Sequence, residues 1–141
     1  MYQAGSAIHY LHTRNPPIIH RDLKPENLIT FDGHETVKLA DFGWSSFCEG
    51  KRTTFCGTPD YFAPEMINGE SHNHKLDIWG LGVLTFELLC GYAPFSPPNM
   101  VSADRHSKMR EMEDNIKVGI VLDIRTDGSR FHHTYQPMLR T

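Results

Sequence analysis

The sequence is poor in cysteine and contains no long apolar run. Its three cysteines, Cys48, Cys56 and Cys90, form no Cys-x-x-Cys pair and leave an odd count. This pattern argues against a disulfide framework or a cysteine-based zinc site, and it is typical of a reducing compartment. No apolar run approaches the roughly 20 residues that a membrane-spanning helix requires. We therefore expect a soluble, intracellular chain with no membrane partner.

An excess of charge of one sign is also missing. Lysine and arginine together number 14, aspartate and glutamate 17, and the formal net charge is -3. A chain with this balance has no general attraction to nucleic acid, so no nucleic-acid partner is predicted. What the sequence does contain is 141 residues, 39% of them hydrophobic, which is enough for a single core in one domain or a piece of one.

The first half of the chain predicts a helix, a hairpin and a long loop. Ala4, Ala7, Ile8 and Leu11 follow helical spacing, and "RNPP" ends that helix. No capping residue precedes the helix, so we expect the chain to start inside a longer element. "NLITF" and "VKLADF" flank the turn-rich "DGHET" and predict a short β-hairpin, whereas "GWSSFCEGKRTTFCGTPDY" shows no period and predicts a long loop.

The second half predicts two helices. "LDIWGLGVLTFELLCG" places apolar residues around nearly the whole circumference, which predicts a helix buried on all sides that stops at Gly91. "ADRHSKMREMEDNIKVGI" favours a weakly amphipathic helix. The final stretch, "RTDGSRFHHTYQPMLRT", has no clear period.

The stretch "IIHRDLKPENLI" at 18–29 concentrates polar residues between apolar ends. A polar loop joining two buried elements would explain it, but its chemistry favours a reactive site. The hairpin can bring Asp41 beside Asn27, and their oxygens suit Mg²⁺ carrying nucleotide phosphates. Asp22 can accept the proton of an attacking hydroxyl group, and Lys24 can neutralise charge on a transferring phosphoryl group.

The order of several motifs then indicates a family. "HRDLKPEN", "DFG" and "APE" match the protein-kinase signature set, with "YLH", "GTPDY", "DIWGLGVL" and "GYAPF" in the expected places. The chain thus resembles the C-terminal lobe of a protein kinase through residue 95. The lysine in "DLKPEN" is similar to that of serine/threonine kinases, and "DFGWS" with "KRTTFCGT" resembles the Aurora group. The alternative is a related basophilic kinase in which Trp44 occurs by chance.

The resemblance implies a mainly α fold with a small β-hairpin: a protein-kinase-like C-terminal lobe, incomplete because the N-terminal lobe is absent. Residues 1–95 would form the lobe core, and residues 96–141 a divergent or truncated remainder. The family's glycine-rich phosphate loop, strand lysine and partner glutamate would lie before Met1, and nothing in the chain replaces them.

The resemblance also implies roles for the residues at the predicted site. Asp22 corresponds to the catalytic base and Lys24 to the lysine that contacts the transferred phosphate. The implied cofactors are ATP and Mg²⁺. Asn27 and Asp41 would bind the metal ion, and Lys24, Glu26, Asn27 and Asp41 would bind the cofactor.

Further roles concern the loop after "DFG". Thr54 matches the activating phosphorylation site, with Thr53 as its neighbour, and a phosphate there would pair with Arg21. Thr58 corresponds to the substrate-docking position and would hydrogen-bond Asp22.

The resemblance also bears on three residues that would stabilise or destabilise the lobe. Asp77 would hold the backbone of the catalytic loop, and an acid that only favours a helix N-terminus is the alternative. Glu65 pairs with an arginine in the family. "QPMLR" places Gln136 at that position, which predicts an unpaired buried carboxylate at a cost of about 3–5 kcal/mol.

The function implied is transfer of the ATP γ-phosphoryl group to serine or threonine of protein substrates with basic residues near the acceptor. An Aurora-like identity would add spindle- or centromere-associated activators. It would also imply location in the cytoplasm or nucleus, at the spindle, centrosome or chromosomes. The isolated chain is expected to be inactive. The alternative is a truncated, non-catalytic kinase-like protein that acts only as a binding module.

Overall fold

The structure is a computed structural model that describes residues 1–47, 57–96, 105–118, 121–124 and 130–133. The helices in this part of the chain are Tyr2–His12 (α1), Pro64–Ile67 (α2), Lys75–Cys90 (α3) and Arg105–Val118 (α4). The strands are Ile18–Ile19 (β1), Leu28–Phe31 (β2), Thr36–Leu39 (β3), Ser46–Phe47 (β4), Val121–Ile124 (β5) and Arg130–His133 (β6). The strands form three antiparallel pairs, β1 with β4, β2 with β3 and β5 with β6.

Helix α1 confirms the helix predicted at the start of the chain. Ala4, Ile8 and Leu11 are buried on one face, as their helical spacing requires. Ile8 and Leu11 pack against Leu23, which lies in the "HRDLKPEN" segment. The first helix therefore supports the segment that carries the predicted chemistry.

The predicted β-hairpin is also confirmed. Strands β2 and β3 pair from Leu28 opposite Leu39 to Phe31 opposite Thr36. The side chain of Gln3 ties this hairpin to α1. Its Nε2 donates to the Glu35 carbonyl at 2.7 Å and its Oε1 accepts from the Val37 N–H at 2.5 Å.

The prediction of one long loop over 43–61 is wrong in part. Ser46–Phe47 form strand β4 against β1, and Pro59–Tyr61 form a 3₁₀ turn. Two-residue strands and single turns are too short to give a periodic pattern, so the sequence could not reveal them. Residues 48–56, including Cys48 and Cys56, lie outside the described residues.

Helix α3 ends where the sequence predicted, but it is not buried on all sides. Gly91 adopts the left-handed conformation at φ 80°, and its N–H donates to the Glu87 carbonyl at 2.7 Å. Ile78, Leu88 and Leu89 are 55%, 52% and 81% exposed, respectively. In the part of the chain that the structure describes, the neighbouring elements cover only one side of α3. A groove of ≈ 840 Å³ lies along the open side near Ile78.

Helix α4 joins the same core as α3. Its Met112 and Ile116 are buried in one cluster with Val83, Ala93 and Phe95. Packing is thus continuous across the predicted division at residue 95. The β5–β6 hairpin follows α4 and was not predicted, because the last stretch has no sequence period. No described helix has the length and apolar character needed to cross a membrane.

Candidate active site

Asp77 anchors the "HRDLKPEN" segment, which we call the catalytic loop (residues 20–27). The carboxylate lies in the first turn of α3, and the residue is only 1% exposed. Its Oδ2 accepts the His20 N–H at 2.9 Å, and its Oδ1 accepts the Arg21 N–H at 2.8 Å. This is the backbone contact that the sequence predicted. An acid that merely favoured the helix N-terminus would not bond a segment 56 residues away.

Gly57 brings the start of "GTPDY" against the catalytic loop. It has φ +106°, and a Cβ atom at this position would lie 2.7 Å from the carbonyl oxygen of Arg21. Only glycine fits both the backbone conformation and the approach. The next residue, Thr58, consequently reaches Asp22, and its hydroxyl group donates to the Asp22 Oδ1 at 3.0 Å.

Asp22 is the most heavily hydrogen-bonded side chain of the loop, and the residue is 3% exposed. Besides Thr58, Lys24 Nζ lies 2.8 Å from Oδ2, and Asn27 Nδ2 donates to Oδ2 at 3.2 Å. Burial alone would raise the pKa of Asp22, but the hydrogen bonds from Lys24, Thr58 and Asn27 and the Lys24 charge outweigh it, so the pKa is lowered. Asp22 is therefore an ionised acceptor of protons at neutral pH.

The β2–β3 hairpin brings together the chain segments that carry Asn27 and Asp41. The Ala40 N–H donates to the Asn27 carbonyl at 2.9 Å, so the return strand places Asp41 beside Asn27. Asn27 Nδ2 also donates to the Asp22 carbonyl at 2.7 Å, which leaves its Oδ1 without a protein partner among the described residues. Asp41 is exposed, and its Oδ1 accepts the Gly43 N–H at 3.1 Å. One amide oxygen and one carboxylate oxygen thus remain available, and such hard oxygen donors fit Mg²⁺.

His20 was not predicted as part of the site. Its ring is fully buried, and Nε2 lies 3.0 Å from the Ala40 carbonyl. A carbonyl only accepts hydrogen bonds, so Nε2 carries the proton and Nδ1 accepts the Asp22 N–H at 3.4 Å. The ring also meets Phe42 edge to face at 5.0 Å. His20 therefore links the catalytic loop to the "DFG" segment.

Arg21 has φ +69°, and its side chain reaches the segment after "DFG". Its Nε donates to the Trp44 carbonyl at 2.6 Å, and its Nη1 is buried with no hydrogen-bond partner in the described ranges. Thr53 and Thr54, the predicted phosphorylation sites, lie outside the described residues. The predicted pairing of Arg21 with a phosphate at these threonines stays a prediction.

The expectation of a buried Glu65 is wrong. Glu65 lies in the first turn of α2 at the rim of the α3 groove and is only partly buried. Solvent and the positive end of a helix can stabilise a carboxylate in this position, so the expected penalty for an unpaired buried charge does not apply. Gln136 lies outside the described residues.

Glu26, near the end of the catalytic loop, lines an acidic cavity. The cavity has a volume of ≈ 460 Å³, and Glu26, Asp60 and Glu87 contribute carboxylates to its lining. Tyr61 hydrogen-bonds Glu87, and burial together with this bond raises the pKa of Tyr61. The Ser96 hydroxyl group donates to Asp60 Oδ1 at 2.5 Å. Among the three carboxylates, that of Glu26 is the most exposed.

Comparison with known families agrees with this arrangement. The family model described as protein kinase domain matches residues 1–136. The chain belongs to the protein kinase family.

Aurora kinases are among the curated relatives, as the sequence predicted, together with one other serine/threonine kinase. The chain is 52% identical over 97 residues to an Aurora kinase of Eremothecium gossypii, covering 67% of this chain and 26% of that protein. Identity to Aurora kinase B of Drosophila melanogaster is 45% over 113 residues, covering 79% and 33%, respectively. The serine/threonine-protein kinase DCLK1 of Rattus norvegicus is 49% identical over 98 residues, covering 67% and 22%. The matched part spans between 22% and 33% of the length of these relatives.

Proposed function

We propose that this chain is the catalytic part of the C-terminal lobe of an Aurora-like serine/threonine kinase. The complete protein would transfer the γ-phosphoryl group of ATP to serine or threonine of protein substrates. The observation that carries the proposal is the position of Asp22. It is an ionised carboxylate held by three side chains, next to an amide and a carboxylate oxygen that fit Mg²⁺.

Each side chain of the site has a task in this reaction. Asp22 accepts the proton of the substrate hydroxyl group and orients that group for attack. Lys24, now 2.8 Å from Asp22, can rotate towards the transferred phosphoryl group and neutralise its charge. Asn27 and Asp41 would hold the metal ion. Bound Mg-ATP supplies the phosphoryl group, and the rigid loop supplies the positioning on which such transfers depend.

The hairpin offers a surface for the base of the nucleotide. Ile29, two residues after Asn27, is 44% exposed although it is apolar. An exposed aliphatic side chain beside a metal site can pack against the flat face of adenine. The glycine-rich loop and strand lysine, which would cover the phosphates in a complete kinase, belong to the N-terminal lobe in this proposal.

The acidic cavity supports a preference for basic substrates. Glu26, Asp60 and Glu87 line one cavity together with Thr58, the residue proposed to dock the substrate. Carboxylates in a partly enclosed site attract arginine and lysine side chains. The location of Glu26 there favours a contact with substrate, and its predicted contact with the cofactor remains a second possibility.

In this proposal, phosphorylation of the loop after "DFG" activates the kinase through Arg21. The guanidinium group keeps a buried Nη1 without a partner in the described part of the chain, so it can receive a phosphate oxygen. We propose that phosphorylation of Thr54, or of its neighbour Thr53, supplies that oxygen and orders the loop after "DFG".

The assignment to the Aurora group rests on the "DFGWS" and "KRTTFCGT" motifs and on the identities to Aurora kinases. The 49% identity to DCLK1 keeps a related basophilic kinase as the alternative. An Aurora-like protein would have spindle- or centromere-associated activators and would be found at the spindle, centrosome or chromosomes.

A second candidate function is that of a non-catalytic binding module. It rests on the acidic cavity, whose carboxylates can attract basic side chains without any bound nucleotide. In that case the acidic cavity would bind basic peptides without phosphorylating them.

A transfer assay separates the two candidates. The chain is incubated with Mg-ATP labelled at the γ-phosphate and a serine peptide that contains arginine, next to the Asp22→Asn variant. Removal of a catalytic base costs about 10²–10⁴-fold in rate, so a kinase loses its signal in Asp22→Asn. Equal signals from both proteins would contradict intrinsic catalysis, and peptide binding without any transfer would favour the binding module.

A further inference from the structure

We propose that Ser107, the third residue of α4, is a phosphorylation site for an arginine-directed serine/threonine kinase. The inference goes beyond the proposed function. It holds whether or not this chain transfers phosphate, because another kinase supplies the activity. Ser107 lies outside the catalytic loop and outside the loop after "DFG".

Two hydroxyl residues of the chain share one basic pattern. Of all the serines and threonines in the sequence, only Thr54 and Ser107 have an arginine two positions before them. Thr54 is the proposed activating site, so a kinase that accepts it meets the same spacing at Ser107. Four basic residues and one acidic residue lie within three positions of Ser107. An acidic substrate cavity attracts such a segment.

Ser107 is also accessible on the folded chain. It is exposed, and so are its neighbours His106 and Arg110. The N–H groups of a first helical turn have no partner inside the helix, so this turn opens at low cost and lets the acceptor enter the active site of a kinase. Met112 and Ile116, which are buried in the core, hold the rest of α4 in place meanwhile.

The modification is an ordinary phosphoryl transfer. Ser107 Oγ forms a bond with the γ-phosphorus of Mg-ATP, and the bond from that phosphorus to the oxygen bridging the β- and γ-phosphates breaks. The hydroxyl proton passes to the catalytic carboxylate of the modifying kinase, and Mg-ADP leaves. Mg-ATP and the modifying kinase are the only reactants needed besides this chain.

The phosphate adds negative charge where α4 favours it. No acidic residue lies in the first turn of α4 as the structure describes it. The N-terminal end of a helix carries partial positive charge, which an anion in the first turn neutralises. Arg110 follows Ser107 by three positions and attracts the phosphate, whereas Glu111 follows by four and repels it. We therefore expect a modest net stabilisation of α4.

Helix α4 connects this site to the acidic cavity. Met109 and Met112 belong to the lining of that cavity, and Asn115 Nδ2 donates to the Phe95 carbonyl at 3.1 Å. A phosphate that stabilises the first turn of α4 thus fixes the wall that the two methionines form. This consequence, unlike the modification, rests on the proposed function, in which the cavity receives basic substrates.

Mass spectrometry of the full, folded chain tests the modification. The chain is incubated with Mg-ATP and an Aurora kinase, checked first on a peptide of the sequence "KRTTFCG". We expect phosphate at Ser107, and about 10–100-fold less of it in Arg105→Ala, as for loss of one charged hydrogen-bond pair. Ser6 is the matched control, because it is an exposed serine on α1 with no basic residue in the three positions before it.

Three results would each overturn the assignment of Ser107. These are no phosphate at Ser107, equal phosphate at Ser6, and unchanged phosphate at Ser107 in Arg105→Ala. A sample without the added kinase measures transfer by the chain itself. A lack of transfer in that sample, with Ser107 modified in the other, would count only against the proposed function.

Amide hydrogen exchange followed by NMR tests the effect on α4. In the phosphorylated chain, the amides of α4 should exchange about 2–5-fold more slowly relative to the Leu84 amide in α3. Arg110→Gln removes the attracting cation and leaves Glu111, so phosphorylation should give little protection there. Unchanged or faster exchange in the phosphorylated chain, or equal protection in Arg110→Gln, would contradict the stabilisation of α4.

Discussion

Asp22 and Asp77 are two nearly buried carboxylates that stabilise the catalytic loop in different ways. Asp77 accepts two backbone N–H groups, which cannot leave without moving the chain, and also contacts the partly buried imidazole of His12. Asp22 accepts three side-chain donors, Lys24, Thr58 and Asn27, which can rotate away. The difference separates a permanent anchor from a group whose partners a substrate can replace.

The largest effect is expected for the anchor. Asp77→Asn places an amide nitrogen against backbone donors and leaves at least one of them unpaired. Breaking a buried charged network of this kind costs about 3–5 kcal/mol of unfolding free energy. Urea unfolding measures the loss. Asp114→Asn on the exposed face of α4 is the control and should change little. Equal losses in the two variants would contradict the role of Asp77 as anchor.

A smaller effect is expected where "GTPDY" approaches the catalytic loop. Gly57 and Gly69 both have positive φ, but only Gly57 has a backbone atom within reach of an added Cβ. Gly69→Ala should cost about 1–2 kcal/mol from the backbone conformation alone. Gly57→Ala adds a clash with the Arg21 carbonyl, worth about 1–3 kcal/mol more.

The same pair of variants tests the contact between Thr58 and Asp22. Gly57→Ala should move the Thr58 hydroxyl group away, which an NMR titration of the Asp22 carboxyl carbon detects as a rise in its pKa. Gly69→Ala should leave the pKa of Asp22 unchanged. Similar stability and similar Asp22 titration in the two variants would show that Gly57 does not hold Thr58 in place.

The smallest effect concerns pH. The pKa of Asp22 lies below its ordinary value of 3.8 in the folded chain, so the unfolded chain binds more protons in this range. The stability that Asp22 contributes is present above pH 3.8 and is lost as the pH falls through the folded pKa. Lys24→Met should raise the pKa of Asp22, because burial remains and the strongest compensating donor is gone.

The measurement is the unfolding free energy of wild type and Lys24→Met from neutral to acidic pH. Their difference should be largest near neutral pH and should shrink below pH 3.8. Lys117→Met, an exposed change in α4, serves as the control. A difference that stays constant with pH would show that Lys24 does not stabilise the ionised form of Asp22.

The comparison also explains what the sequence could reveal. Asp22, Lys24 and Asn27 lie within six residues, so their chemistry is visible in one motif. The role of Asp77 was implied by the family resemblance, and it also accounts for a carboxylate in so apolar a helix, since buried charge needs partners. His12 was missed because its partner lies 65 residues away and a single histidine in a helix has no pattern of its own.

For the fold, too, the sequence predicted the elements with a clear hydrophobic period and missed the others. The α1 helix and the β2–β3 hairpin have clear periods, and both were predicted. The β1–β4 pair is two residues long and has no period. Helix α3 was predicted correctly in extent but not in exposure, because hydrophobicity shows that a face favours burial and cannot show which neighbour covers it. Leu89, 81% exposed, is the clearest example.

The most direct test of the account is whether the oxygen donors next to Asp22 bind Mg-nucleotide. The labelled chain is titrated with Mg-ATP, with ATP alone and Mg²⁺ alone as controls, and followed by NMR together with Asp41→Asn. We expect changes at Asn27, Asp41 and Lys24 with Mg-ATP, little change at the His20 amide bonded to Asp77, and loss of the response in Asp41→Asn. An absent response, or the same response in Asp41→Asn, would contradict the assignment of this site.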